Sequence, residues 1–329
     1  VKKWISLVTM LALIVLTGCQ SASGEEEKNF TLAHNQPTDH PVHQSLERFA
    51  ELVEEKSNGS MSTKIYPNGE LGSEREVIEG TQAGAVDFSK VSASALESFE
   101  PAYSVFSLPY LFESQESFKR VMNNEDVTDD IYMESANKGF RGLTYYDAGV
   151  RNVYTKSRMI ETSEDMSGLK TRVQPSQTSV QMIEAMGGTP TPMSYGEVYT
   201  ALQSGVIDAA ENNATALTNS NHGEVAKNYF YTEHAIVPDM LIANNKVMEN
   251  LSASEQQVIE EAAKESTSYH EDLWNQTVEE ARATASEEMN VEFHEVDKQS
   301  FIDEVQPLHE EFRNDPDTSE IYQTIKEAE

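Results

Sequence analysis

Gly168-Leu169-Lys170-Thr171-Arg172-Val173-Gln174 reads as a turn followed by a short strand. Thr171 and Val173 are β-branched and favour extended backbone, and Ser167-Gly168 supplies the break before them. Arg172 falls mid-strand, with Leu169 and Val173 beside it. A guanidinium in that place must find an anion or swing out to water. It stays charged, and its planar fork of donors fits a carboxylate through two parallel hydrogen bonds. Taken alone, a strand Arg is as readily solvated or ion-paired on the surface, so the surrounding chain has to decide.

Downstream, a helix begins at Thr178, carries Val180, Ile183 and Met186, and stops at Gly187-Gly188. Pro190 and Pro192 break the chain, a second helix is predicted over 195–203 with Gly205 as its stop, and 206–209 reads as a strand. The N-terminal part has the same rhythm. A strand over 30–34 leads to a helix whose apolar stripe is Val42, Leu46, Phe49 and Val53, ended by Asn58-Gly59. A strand over 61–66, a helix from Glu74 to Gly84 with Val77 and Ile78 inward, and a strand over 86–88 complete it. Strands alternating with helices predict α/β domains with largely parallel sheets, and the chain is long enough for two.

Further on, 99–112 is irregular and aromatic, and 140–146 is a strand. Ser252-Ala253-Ser254-Glu255 is a capping box that opens one uninterrupted helix to about residue 288, long enough to brace two domains. Phe301, Val305, Leu308 and Phe312 form a last amphipathic stripe, and the acidic tail is expected to face solvent.

The net charge is -32 over 329 residues. Such a surface repels nucleic acid and anionic lipid. It repels an anionic small molecule as well, so a carboxylate site would need concentrated local positive charge. At the N-terminus, Lys2-Lys3 and the apolar run 4–16 read as a signal peptide covering 1–18. The run ends Leu16-Thr17-Gly18-Cys19, which resembles a bacterial lipobox; Cys19, the single cysteine, is the expected site of lipid attachment. One cysteine excludes an intrachain disulfide, a CxxC redox pair and a thiolate zinc site. Residues 19–28, rich in Ser, Gly and Glu, read as a flexible tether.

The sequence contains no nucleophile elbow, Walker loop, dinucleotide fingerprint or HExxH, and neither a cofactor nor a metal is expected. His34, His40 and His43 lie close together, but their spacing fits no common zinc pattern. A set of polar residues does fall at predicted strand ends: Asn35, Glu74, Arg151, Arg172, Glu211 and Asn212. Open α/β sheets bind ligands beyond the carboxyl ends of their strands. Two Arg there would concentrate positive charge, each Arg–carboxylate contact contributing about 4 kcal/mol near 4 Å before desolvation.

The succession Gly149-Val150-Arg151, Gly168-Leu169-Lys170-Thr171-Arg172-Val173, Gly188-Thr189-Pro190-Thr191-Pro192-Met193, Glu197-Val198-Tyr199-Thr200-Ala201-Leu202-Gln203-Ser204-Gly205-Val206-Ile207-Asp208 and Glu211-Asn212-Asn213 resembles the solute-binding proteins of tripartite ATP-independent periplasmic (TRAP) transporters, DctP type. Weaker similarity includes Leu71-Gly72, Leu108-Pro109-Tyr110 and His234. The resemblance implies two α/β lobes of periplasmic-binding-protein type closing on one small organic acid, with a long helix spanning both. It implies a carboxylate-binding role for Arg172, with Arg151 assisting. Asn212 takes the place of the Asn in the family's Glu-Asn-Pro segment, although Asn213 replaces the Pro. Asn35, Glu74, Tyr195 and Glu211 are carried over as further pocket residues.

Lobe I is then expected to comprise 29–148 plus about 238–275, and lobe II 149–237 plus about 276–305, with 306–329 as a C-terminal helix and tail. Glu211-Asn212-Asn213, 222–228 and Pro238-Asp239 resemble members that take sugar acids such as hexuronates; a four-carbon dicarboxylate remains the alternative ligand. The expected role is an extracytoplasmic, lipid-anchored receptor that is not an enzyme and delivers its ligand to a sodium-coupled TRAP permease. Two other readings are an exported sugar-acid enzyme, with Glu74 and Glu211 as its acid–base candidates, and a sensor linked to a membrane receptor.

Overall fold

The computed structural model describes residues 27–329. The signal peptide, Cys19 and nearly all of the tether lie outside the described residues. The chain lays down β1 (Lys28–Ala33), β2 (Met61–Tyr66), β3 (Phe88–Ser92) and β4 (Phe140–Tyr146) in one sheet. It crosses to a second sheet for β5 (Val150–Thr155), β6 (Lys170–Val173), β7 (Thr189–Pro192), β8 (Ala209–Asn212) and β9 (Asn228–Ile236). It returns to the first for β10 (Asp239–Asn244) and adds β11 (Glu292–His294) to the second.

The strand orders are β2-β1-β3-β10-β4 and β11-β9-β5-β8-β6-β7. In the first, β1 runs parallel to β2 and β3, and only β10 runs against its neighbours. In the second, β6 runs parallel to β7 and β8, and β5 is the reversed strand. Thus β6, β7 and β8 repeat the plan of β1, β2 and β3, and each sheet's reversed strand, β10 or β5, directly follows a crossing of the chain.

The apolar stripe Val42, Leu46, Phe49 and Val53 is fully buried on the Pro41–Lys56 helix. The Glu74–Ala83 helix is held by a capping box from Ser73 and Glu76, and by Gly84 in the left-handed conformation that glycine adopts without strain. The helix Ala253–Glu287, capped by Ser252 and Glu255, is about 50 Å long at 1.5 Å per residue. Its N-terminal half packs Ile259, Ala262 and Ala263 into the core beside the first sheet. Its C-terminal half puts Ala285 with Tyr154 and Tyr229 of the second. It therefore lies along both sheets. No described helix is long and apolar enough to cross a membrane.

Several local expectations are corrected. The strand expected over 86–88 starts at Phe88 and continues through Lys90 to Ser92, and the one expected over 206–209 starts at Ala209 and continues through Glu211 to Asn212. Pro190 and Pro192 do not break the chain: they sit in β7, an edge strand, where a missing N–H costs no ladder bond. Tyr195–Glu197 is a 3-10 turn, with the α-helix beginning at Val198. One helix covers Lys298–Asn314 with Pro307 inside it and buries the expected stripe Phe301, Val305, Leu308 and Phe312. The tail is not solvent-facing throughout. Ser319–Ala328 is a helix with Tyr322 and Ile325 buried, and Glu329 Oε1 accepts from Glu113 N–H and Ser117 Oγ–H, both at 2.9 Å.

Side chains also tie one sheet's surroundings to the other's. The Glu97 carboxylate accepts from Thr178 N–H (3.1 Å) and Ser176 Oγ–H (2.5 Å) at the start of the Gln177–Ala185 helix, and His40 Nε2 lies 3.2 Å from Thr215 Oγ1.

Candidate functional site

The carboxyl ends of β1, β3, β6 and β8 point to one polar cavity that opens to solvent, with about 520 Å³ of space not filled by protein atoms, its open mouth included. Asn35, Glu74, Arg151, Arg172, Tyr195 and Asn212 all line it. Six of the seven expected pocket residues, scattered between positions 35 and 212, are thereby brought together. Glu211 does not line it.

Arg172 is the third residue of β6, its Cα paired with Ala210 of β8 and Thr191 of β7. The side chain is buried. Nε and Nη2 both donate to the carbonyl of Met193, at 3.1 and 2.9 Å, and the guanidinium lies 5.8 Å from the centre of the Tyr195 ring. The Tyr195 hydroxyl is held 2.7 Å from Ser220 Oγ. No carboxylate among the described residues comes within 4 Å of Arg172. Two of its five N–H groups are thus engaged, and the end-on edge formed by Nη1 and the outer N–H of Nη2 keeps its donors. Burial disfavours the charge and lowers the pKa; nearby Glu211 acts the other way and Arg151 adds to the lowering.

Arg151, expected to assist Arg172, lines the cavity and is also engaged by the protein. It reaches Glu211 through Nε–Oε2 at 2.6 Å and Nη2–Oε1 at 2.8 Å, a two-bond fork, and Nη2 also donates to the Glu211 carbonyl at 2.9 Å. Nη1 donates to Asn212 Oδ1 at 3.2 Å. A bulge in the β5–β9 pairing falls between Arg151 and Val153. Burial pushes the Glu211 carboxyl up, but Arg151 and His234 outweigh it and hold the pKa down at about 2. The Arg151 pKa is raised: burial opposes the charge and Glu211 more than compensates.

On the facing wall, Glu74 opens its helix, and its Oε1 accepts from Ser92 N–H at 2.9 Å. Burial raises its pKa, with Lys90 opposing and Asp239 reinforcing. Asn35 Oδ1 accepts from Lys90 Nζ at 3.2 Å, and Lys90 pairs with Asp239 at 3.0 Å. Two wall residues keep unmet capacity: Gln36 Oε1 and Trp274 Nε1 are buried without a hydrogen-bond partner. His34 Nε2 sits 3.0 Å from His43 Nδ1; burial first, then Lys90, drives the His34 pKa down to about 2. Among the described residues no group of three or more His, Cys, Asp or Glu side chains could hold a metal ion.

Sequence reasoning missed Lys90, Gln36 and Trp274, and named Asp239 only within a segment that resembles sugar-acid-binding members. Lys90 carried a signal, a cation between Phe88 and Val91 in a short apolar run. Trp274 lies in the long helix Ala253–Glu287, and its unpaired indole N–H sets it apart from the helix's other buried side chains.

Two sheets of one plan closing a polar cavity that holds a buried, incompletely satisfied guanidinium define a two-lobed receptor for a small anionic solute. The chain belongs to the DctP family of bacterial extracellular solute-binding proteins, family 7, which it matches over residues 32–315. It is 41% identical, over 97% of both chains, to the uncharacterised protein YiiZ of Salmonella typhimurium. It is similar to the crystal structure of a TRAP periplasmic solute-binding protein from Anaerococcus prevotii with bound α/β-D-glucuronate: TM-score 0.89 and 39% identity, over 92% of this chain and 98% of that one. A TRAP solute-binding protein from Xanthobacter autotrophicus with bound β-D-galacturonate gives a TM-score of 0.87 and 35% identity, over 91% and 100%. The family and these structures are substrate-binding transport proteins and extracytoplasmic.

Proposed function

We propose that the chain captures a hexuronate outside the cytoplasm and hands it to a sodium-coupled TRAP permease. The observation that carries this is the open donor edge of Arg172 inside a cavity whose other cations are matched by protein carboxylates. The ligand carboxylate lies on that edge; Arg151 sits behind it, holding Asn212 and Glu211 in place. Asn35, Glu74 and Asn212, with Gln36 and Trp274, meet the ring hydroxyls. A ligand lacking one of those hydroxyls leaves a buried polar group unpaired.

Each sheet anchors one lobe: 29–148 with about 238–275, and 149–237 with about 276–305. A ligand that touches both walls only when they are closed shifts the population toward closure by its differential affinity, and the closed form is what a permease would recognise. The similarity of the family members with bound glucuronate and galacturonate supports the choice of ligand. Lipid attachment at Cys19 would keep the receptor at the membrane surface.

Calorimetric titration with D-glucuronate, D-galacturonate, succinate and glucose tests the reading. One or both uronates are expected to saturate the protein and, at 100 times the dissociation constant, to add about 2.7 kcal/mol of stability. Glucose, which has the ring without the carboxylate, is expected to do neither. Binding of no uronate, or of glucose as tightly as a uronate, would overturn it.

A further inference from the structure

Arg172 and Arg151 stand on the second sheet, and the facing wall comes from the first. There Lys90 of β3 opposes Leu241 of β10, and Ser92 opposes Asp239. Side chains two apart on a strand share a face, so Lys90 and Asp239 are diagonal neighbours on one face of the sheet. Their charged ends meet at 3.0 Å, and Lys90 is 1% exposed. Nζ also donates to Asn35 Oδ1, which leaves one of its three N–H groups. Both residues line the cavity. A buried ammonium matched by one carboxylate presents no net charge, just as Glu211 cancels Arg151. Arg172 is left as the one lining cation without a matching carboxylate among the described residues.

We propose that the Lys90–Asp239 pair sets the charge of the ligand. It adds no net charge to the wall facing Arg172, where the Glu74 carboxyl also stands, so the cavity takes an acid with one carboxylate and hydroxyls at its far end and rejects one with a second carboxylate there. The inference rests on the reading that Arg172 grips the ligand's carboxylate. A second carboxylate at that wall would lose its water, meet Asp239, and find the Lys90 ammonium already engaged. A hydroxyl there can donate to Asp239 and accept from the remaining N–H of Lys90.

The probes are D-galacturonate and galactarate, titrated into the full chain. Galactarate carries a carboxylate at both ends. Wild type is expected to prefer galacturonate by at least about 100-fold. Asp239→Asn, close in shape, removes the carboxylate paired with Lys90 and shifts the wall by one positive charge, so the preference should shrink by at least about tenfold. Comparing ratios between proteins cancels the difference between a ring and an open chain. In the double variant Lys90→Met, Asp239→Asn both charges of the pair are gone, the wall has its wild-type net charge again, and the ratio should return to within about threefold of wild type, whatever the absolute affinities.

A wild-type ratio near one overturns the proposal. So does an unchanged ratio in Asp239→Asn while galacturonate still binds. If Asp239→Asn fails to fold, a double variant whose ratio moves about tenfold toward the diacid overturns it as well. If wild type binds neither D-galacturonate nor D-glucuronate, the Arg172 reading itself has failed and this inference falls with it; if it binds only glucuronate, glucuronate and glucarate are the probe pair. A galacturonate-binding protein whose ratio ignores Asp239 fails the charge-matching argument alone.

Discussion

Arg151 and Arg172 line the same cavity from the same sheet, and they are 5% and 3% exposed. By residue type, burial and strand position they are near twins. Their partners separate them. Arg151 holds Glu211 through a two-bond fork and reaches Asn212 as well, whereas Arg172 has two bonds to one neutral carbonyl. The first keeps its charge with help from a protein anion, the second in spite of its burial. A buried cation that the protein leaves unmatched waits for an anion from outside, while a matched one is part of the scaffold. The same residue type in the same cavity thus supports opposite predictions.

The largest expected effect falls on stability. Arg151→Met leaves Glu211 buried with only His234 Nε2, at 3.3 Å, beside its carboxylate, and breaking a buried pair from one side costs about 3–5 kcal/mol. Denaturant unfolding measures it, and Arg151→Met combined with Glu211→Leu should recover most of the loss, because an apolar pair of similar volume is often neutral. A stable Arg151→Met single variant would break the comparison. Arg172→Ala reverses the pattern. Ligand affinity should fall about 1000-fold, about 4 kcal/mol, while unliganded stability changes by no more than about 1.5 kcal/mol, the bonds to Met193 O being offset by the removal of an unmatched charge. Arg172→Lys should still lose at least about 100-fold, since a point charge cannot offer two parallel donors. Calorimetry and unfolding on the same samples separate the two quantities.

Much of the fold was legible in the sequence, and the parts that were not share a cause. β3 and β8 were each read short, and both run on into polar residues: Lys90 and Ser92 in one, Glu211 and Asn212 in the other. Hydrophobic periodicity reports the side of a strand that packs on a core. The carboxyl ends of these strands pack on the cavity instead, so the pattern fades where the site begins. β7 was read as a break because proline is a strong local signal, and only its edge position makes Pro190 and Pro192 harmless. Arg172 stood out as a strand Arg beside apolar residues, but its role came from the family resemblance of the surrounding chain. The engagement of Arg151 was not, since Glu211 lies 60 residues away and the two meet through the pairing of β5 with β8.

Acid offers the finest discrimination between the two arginines. The Glu211 pKa stands at about 2 in the folded protein against an ordinary 4.5, because Arg151 and His234 overcome the effect of burial. A depressed carboxylate contributes stability that is complete above 4.5 and is lost as pH falls from there toward 2. A shift of that size corresponds to roughly 3 kcal/mol. Unfolding free energies measured from pH 6 down to 2.5 should therefore fall less steeply in the Arg151→Met, Glu211→Leu double variant than in wild type. In Arg172→Ala the slope should stay close to that of wild type, because no carboxylate within 4 Å relies on that guanidinium. Equal flattening of the acid limb in both variants would mean that Arg172 is matched from within the protein after all, and the distinction between scaffold and receptor arginine would be lost.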